Sequence, residues 1–341
     1  MNNTFTTQLI DWQKKHGRHN LPWQVNDPYK IWLSEIMLQQ TQVATVCDYF
    51  VRFVQRFPKV EDLANADEDE VLALWAGLGY YTRARNLHAA ARQIVEDFGG
   101  QFPANRLELQ KLKGVGRSTA AAIAVFAYLL PETILDGNVK RVLCRVFALD
   151  GDLQNAAFEK KLWHIAEQLL PPNKEDLPAY IQGLMDLGAM VCTHSKPKCS
   201  LCPQNNICQA FAQNRIAELP RKKTPTALQF VDMLWAIVEY NHRFLLEKRP
   251  NKGIWASLFC VPCFEDENAL HQFIINNNLI LLEKKETFTH RLTHRLLNIT
   301  PYFFRLPENK CDTLENQRFY SYNEMQQLAL PKPLSKFFQA A

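Results

Sequence analysis

Four cysteines fall within 17 residues, as Cys192-x6-Cys199-x2-Cys202-x5-Cys208, while the other five of the chain's nine are scattered. The x2 spacing lets two sulfurs share one centre in a tight turn, and four thiolates in a short loop can surround a metal. Zinc takes such a set, and so does a [4Fe–4S] cluster; the spacing alone leaves both open. Two carboxylates are of a type that could do acid–base chemistry, although an exposed helical Glu and a plain N-cap Asp are equally open on the residues alone. Glu35 is the lone acid of the helical run Ile31-Trp-Leu-Ser-Glu-Ile-Met-Leu38. Partial burial there raises a carboxyl's pKa and lets it keep a proton near neutrality. Asp136, in Ile134-Leu-Asp-Gly-Asn-Val-Lys-Arg141, precedes a helical pattern starting near Val139 and suits its N-cap. A capping position fixes a carboxylate at a pocket's edge. A third element is Leu112-Lys113-Gly114-Val115-Gly116-Arg117-Ser118, between two helical patterns. Its glycines permit a tight turn with exposed amides, and the following helix adds its positive end. Such amides bind a phosphate without a cationic side chain.

These residues must be positioned by a mostly helical framework. Asp27-Pro28 is a start signal, a capping Asp before a Pro at the first helical position. The spacing predicts further helices over Asp67–Trp75, Thr82–Phe98, Arg106–Lys111, Ser118–Leu130, Val139–Leu149, Ala157–Leu170 and Pro178–Met190, with glycines and Pro171-Pro172 between them. Near residue 218 the composition changes. The segment 218–228 has prolines, a basic run and no apolar period, as a linker does. Short β-like runs follow at Phe230–Tyr240, Phe244–Glu247, Leu279–Glu283, Leu296–Arg305 and Arg318–Tyr320, with helical stretches near Glu267–Asn276 and Asn323–Leu328. The reading is a helical region over 1–217 and a separate α+β domain over 229–341.

A length of 341 residues with 47% hydrophobic and 22% charged content excludes a disordered or fibrous chain. The start lacks the pattern of a secretory signal, and the longest strongly apolar run, Ala120–Leu130, falls short of the roughly 20 residues a bilayer requires. A cytoplasmic setting without a membrane partner is therefore expected, and cysteines there do not form a disulfide framework. Net charge is +4, and it resides wholly in residues 221–341, because residues 1–220 hold 23 basic and 23 acidic side chains. A protein this weakly basic that binds DNA must do so through local patches and backbone amides.

Together the motifs resemble a known family. The cysteine spacing looks like the cluster loop of the endonuclease III superfamily of DNA glycosylases, and the glycine turn resembles that superfamily's helix-hairpin-helix, with Lys113 where proline is usual. Trp32-Leu-Ser-Glu-Ile-Met-Leu-Gln-Gln-Thr-Gln42, with Leu78-Gly-Tyr-Tyr81 and Arg83-Ala-Arg-Asn-Leu87, closely matches the adenine DNA glycosylases, the MutY family. The resemblance covers most of residues 5–215. It implies a helix-hairpin-helix glycosylase fold, with a six-helix module over about 25–130 and a cluster module formed by the N-terminal segment plus about 131–217. It also implies a [4Fe–4S] cluster on Cys192, Cys199, Cys202 and Cys208. The expected partner is double-stranded DNA containing adenine opposite 8-oxoguanine or guanine, and the expected state is a monomer.

By the same resemblance Glu35 and Asp136 are the catalytic pair, around an oxocarbenium-like sugar, and Asn138 helps to position them. Trp23, Ser118 and Gln182 fall where the family lines its adenine pocket. Gln40 and Tyr80 match residues that push into the helix beside 8-oxoguanine, and Gly114, Gly116, Lys196 and Lys198 are expected on DNA phosphates. Bifunctional relatives carry a nucleophilic lysine where this chain has Ser118. A hydroxyl cannot form an imine, so base removal without an efficient strand nick is expected, with slow adventitious trapping open to Lys140 near Asp136. The C-terminal region resembles the family's Nudix-like domain, and its single glycine, Gly253, argues against a Nudix hydrolase. Phe288-Thr-His-Arg-Leu-Thr-His294 aligns with the family's Phe-Ser-His turn, placing Leu292, Thr293 and His294 on the oxidised base, with Leu in place of Phe. Cys260-x2-Cys263 reads as strand thiols. Two rivals remain on this reading: a bifunctional oxidised-pyrimidine glycosylase/lyase, and an iron–sulfur or zinc DNA-binding regulator that needs neither carboxylate.

Overall fold

Local signals set most helix boundaries. The computed structural model describes residues 2–221, 227–307 and 318–340. Helices α1 (Asn2–His16), α2 (Pro28–Leu38), α3 (Val43–Arg56) and α4 (Val60–Asn65) come first. Asp27 starts α2 by accepting from the Tyr29 amide at 3.0 Å. Next are α5 (Glu68–Trp75), α6 (Thr82–Phe98), the short α7 (Arg106–Leu109) and α8 (Arg117–Tyr128). Asn105 caps α7, accepting from the amides of Leu107 and Glu108 at 2.8 and 3.2 Å. The chain then forms α9 (Gly137–Val146), α10 (Ala156–Gln168), α11 (Leu177–Asp186) and α12 (Gln209–Ala212). Beyond α11 a π turn runs over Leu187–Val191. There Gly188 is required, since a β-carbon would lie 2.7 Å from that of Asn138.

The chain packs into two compact units. One holds residues up to Asn65 and those from Asn86 to the linker; the other holds Ala66–Arg85 with the residues after the linker. In the first unit, α1 contributes Phe5, Leu9 and Ile10 to one core with residues of α8, α9, α10 and α11. The expected linker begins docked: Leu219 is buried in that core, and residues 222–226 of it lie outside the described residues.

The second unit is built on a sheet. Its strands are β1 (Gln229–Tyr240), β2 (Arg243–Lys248), β3 (Phe259–Cys260), β4 (Cys263–Phe264), β5 (Ile280–Lys284), β6 (Phe288–Arg291), β7 (Arg295–Arg305) and β8 (Arg318–Tyr320). The order along the sheet is β3-β2-β1-β7-β5, with β4 on β1, β6 on β7 and β8 on β2. β1 and β7 run parallel along their length, and the other pairings are antiparallel. Asn241 and His242, both with positive φ, make the tight β1–β2 turn. β1 alternates between two buried faces: Met233, Trp235 and Ile237 join one core, Ala236 and Val238 the other. Helix α13 (Glu267–Asn277) gives Leu270 to the second core. Helices α14 (Tyr322–Met325) and α15 (Lys332–Ala340) give Met325 and Leu334 to the first. This is the expected α+β domain. The segment Ala66–Arg85 is tied into the same unit, with Arg85 donating to the Ala256 carbonyl at 2.7 Å and Lys248 paired with Asp69 at 2.5 Å. Among the described residues, no helix is long and apolar enough to cross a membrane.

Candidate active site

A cavity of about 500 Å³ opens in the first unit between the 18–26 strap, α2, the end of α8 and α11. Trp23, Ser34, Glu35 and Gln182 line it. The apolar stripe of α2 puts Ile31, Trp32, Ile36 and Met37 into the interior, and Glu35 is left half-buried at the cavity wall. Desolvation pushes its carboxyl from 4.5 up to about 8, and the negative charge of Asp136 adds to the rise. Glu35 is therefore a proton-bearing acid at neutral pH.

Asp136 is exposed and caps α9, accepting from the Val139 amide at 2.8 Å. Its negative charge is felt at Glu35, where it adds to the effect of burial. Asn138, in the first turn of α9, is fixed by Arg141, whose Nη2 donates to Asn138 Oδ1 at 2.9 Å and to the Gly188 carbonyl at 2.8 Å. Arg141 Nε reaches the Cys192 carbonyl at 2.8 Å. One turn on, buried Arg145 donates to the carbonyls of Leu219, Thr193 and His194 at 2.9, 2.7 and 3.0 Å, and to Cys192 Sγ at 3.5 Å. Two guanidinium groups thus tie the helix behind Asp136 to the cysteine loop. Ser118 does not line the cavity; its Oγ accepts from the Leu135 amide at 2.9 Å. It holds the segment leading into Asp136 instead.

A second network shapes the cavity floor. Asp186 is fully buried, and its Oδ1 accepts from Arg18 Nε at 2.7 Å and Gln182 Nε2 at 2.9 Å. Arg18 Nη2 lies 2.6 Å from the same oxygen, and the Arg18 amide donates to Oδ2 at 2.9 Å. The Gln182 amide nitrogen is committed to a carboxylate, so its carbonyl oxygen is the end left for a ligand. Gln24 staples the strap, accepting from the Leu21 amide at 2.9 Å and donating to the Arg18 carbonyl at 2.7 Å. The strap carries Trp23, which packs edge-on against Phe50 with ring centres 5.5 Å apart.

All four loop cysteines wall one small cavity of about 20 Å³. Burial pushes the Cys202 thiol up to about 12 and also raises those of Cys199 and Cys208. As free thiols these keep their protons, so a positive centre is what would ionise them. Among the described residues no three such side chains meet around one point at coordination distance. Lys196 and Lys198 are exposed on this loop.

The glycine turn is a hairpin. Leu112 and Val115 are buried under it, while Lys113, Gly114 and Gly116 are exposed. Gly114 has φ +79°, and a β-carbon there would lie 2.9 Å from that of Asn86, so both backbone and packing require glycine. Gly116 is the N-cap of α8. Gln39 fastens the end of α2 to this turn through the Gly114 carbonyl at 3.4 Å, and its neighbour Gln40 is exposed with φ +58°.

In the second unit, Thr293 and His294 form the exposed tip of the tight β6–β7 turn, closed by the Leu292 amide on the Arg295 carbonyl at 2.8 Å. Leu292 packs onto the domain core, so leucine supplies an anchor where the family has phenylalanine. Tyr80, 47% exposed, has its hydroxyl 3.3 Å from Thr293 Oγ1. Residues 213 positions apart, both expected at the oxidised base, therefore meet.

Sequence reasoning missed Arg18, Arg141, Arg145 and Asp186. The two arginines of α9 stand at i, i+4 in a helix whose Val139, Val142, Leu143 and Val146 are buried with them, and such a pair beside an apolar stripe is a signal. Asp186 had only its solitude in an apolar helix.

This fold, with a capped carboxylate coupled to a proton-bearing acid in a cavity, defines a base-excision DNA glycosylase of helix-hairpin-helix type. A family model described as "HhH-GPD superfamily base excision DNA repair protein" matches residues 33–168, and one described as "NUDIX domain" matches 233–340. The adenine DNA glycosylase of Buchnera aphidicola subsp. Baizongia pistaciae (strain Bp) is 39% identical, over 97% of this chain and 95% of its own. That of Buchnera aphidicola subsp. Schizaphis graminum (strain Sg) is 36% identical, over 98% of each. The solved structure of a thermostable thymine-DNA glycosylase covers 62% of this chain and 97% of its own, at 29% identity and a TM-score of 0.56. The chain belongs to the adenine DNA glycosylase family and is a DNA N-glycosylase of base-excision repair.

Proposed function

We propose that this glycosylase, acting as a monomer on duplex DNA, removes adenine paired with 8-oxoguanine or guanine and leaves the strand uncut. The observation that carries the proposal is Glu35, a carboxyl held near pKa 8 on a cavity large enough for a base. A base attacked by an enzyme must leave the stack, and the cavity beside Trp23 and Gln182 receives it. Adenine leaves poorly as an anion, so Glu35 donates a proton to it, at N7 by the family resemblance, and then assists water. Asp136, ionised, stabilises the positive sugar, with Asn138 positioned beside it by Arg141. The free carbonyl oxygen of Gln182 accepts from the exocyclic amine of adenine.

The absence of a lyase step is supported by two side chains. Ser118 offers no amine, and the Lys140 amine is engaged by Glu159, to which it donates at 2.6 Å. Hairpin amides at Gly114 and Gly116, with Lys196 and Lys198, hold phosphates. Gln40 and Tyr80 wedge beside the opposite base, and Leu292, Thr293 and His294 read it. Cys192, Cys199, Cys202 and Cys208 suit a [4Fe–4S] cluster, which would cross-link the loop into a rigid fold; Arg145 supports Cys192.

The test is a set of duplexes with adenine opposite 8-oxoguanine, guanine or thymine, each product divided and heated with or without alkali. Loss of adenine opposite the two purines, with breaks only after alkali, is expected. Breaks without alkali at the rate of base loss, or equal loss opposite thymine, would overturn it.

A further inference from the structure

Cys260 and Cys263 lie outside every role described so far. Cys260 ends β3, is fully buried, and pairs with Glu247 of β2. Cys263 begins β4, is half-buried, and pairs with Trp235 of β1. β1 and β2 pair only near their shared turn, at Glu239↔Phe244 and Tyr240↔Arg243. Beyond it they fork, and the Val261-Pro262 turn fills the fork, held by the Ala236 amide on the Pro262 carbonyl at 2.9 Å. The two Sγ atoms are 3.6 Å apart across this turn. A disulfide needs about 2.05 Å, so the two sulfurs have less than about 2 Å to close. A metal would need further ligands, and among the described residues no group of three metal-binding side chains includes these thiols.

We propose that Cys260 and Cys263 are a reversible dithiol–disulfide site whose oxidant is a hydroperoxide. The more accessible sulfur reacts first: the Cys263 thiolate attacks a peroxide oxygen, the S–O bond forms as the O–O bond breaks, and the departing hydroxide takes a proton to become water. The Cys260 sulfur then attacks the Cys263 sulfenic acid, the S–S bond forms as S–O breaks, and hydroxide leaves with the Cys260 proton as a second water. Two thiols and one hydrogen peroxide give one disulfide and two waters, and a small thiol reverses the bond by exchange. Burial pushes the Cys260 thiol well above its ordinary range, which disfavours its direct oxidation and leaves the first step to Cys263. Closure pins the fork at Trp235, against which Phe288 of β6 packs with ring centres 5.6 Å apart.

The full chain, reduced and then treated with equimolar hydrogen peroxide, is alkylated and digested with trypsin. The peptide from Gly253 to Lys284 contains only these two cysteines. It should appear lighter by two hydrogen atoms and without alkyl groups, and should take up two alkyl groups after treatment with a small dithiol. Cys263→Ser should leave Cys260 alkylated and unoxidised under the same treatment. A doubly alkylated peptide after peroxide, a sulfinic acid on Cys263 without the bond, or oxidation of Cys260 in Cys263→Ser would each overturn the proposal.

Discussion

Replacing Glu35 by Gln tests the buried acid without any DNA. In the folded chain the group titrates near pH 8 instead of 4.5. At about 1.36 kcal/mol per pH unit, ionising it there costs roughly 5 kcal/mol more than in the unfolded chain. The cavity still wets part of the side chain, so screening reduces that to about 2–4 kcal/mol. The sign follows from proton counting. Between pH 4.5 and about 8 the folded chain holds a proton that the unfolded chain has released, so stability falls as pH rises through that window. Glutamine does not titrate and escapes the fall. Glu35→Gln should therefore gain on the parent by about 2–4 kcal/mol between about pH 5 and about pH 8. Urea unfolding of both proteins at the two pH values gives the double difference, in which packing changes cancel. A double difference near zero would refute the reasoning.

Other perturbations follow from the same geometry. Asp186→Asn leaves Arg18 short of its buried partner and should destabilise the first unit by about 3–5 kcal/mol, read by urea unfolding. Gly114→Ala places a β-carbon at positive φ against Asn86 and should cost about 1–3 kcal/mol, with duplex affinity weakened in a filter-binding titration. Arg145→Leu removes the donor to Cys192 Sγ, to the loop carbonyls of Thr193 and His194 and to that of Leu219, and the purified variant should hold less than half the parent's iron. Thr293→Val removes the hydrogen bond to Tyr80; single-turnover rates opposite 8-oxoguanine should fall about tenfold, the worth of one hydrogen bond of about 1.4 kcal/mol, while those opposite guanine hold.

Much of this was legible because the signals are local. Asp27-Pro28 and Asp136 start their helices through side-chain caps seen in the residues themselves, and Gly114 stands where φ is positive. The β1 and β7 runs were readable from their β-branched and aromatic content. What escaped depends on partners far along the chain. Arg18 and Asp186 are 168 residues apart, and neither shows in its own segment what it will meet. β3, β4 and β6 are two to four residues long, too short for periodicity to mark. α15 was missed because Pro333 masks a start that its position in the first turn in fact favours. The assignment of Ala66–Arg85 to the second unit rests on contacts such as Arg85 to Ala256, invisible in sequence.

The central claim is that one carboxyl carries its proton to the base while the other stays charged. The direct measurement is adenine release from an 8-oxoguanine duplex with enzyme limiting, from about pH 5 to about pH 10, where the rate reports the free protein's titration. The account predicts a decline above pH 8, roughly tenfold per unit, and no release by Glu35→Gln although it binds the duplex as tightly as the parent. An undiminished rate at about pH 9.5, or release by Glu35→Gln at the parent's rate, would contradict it.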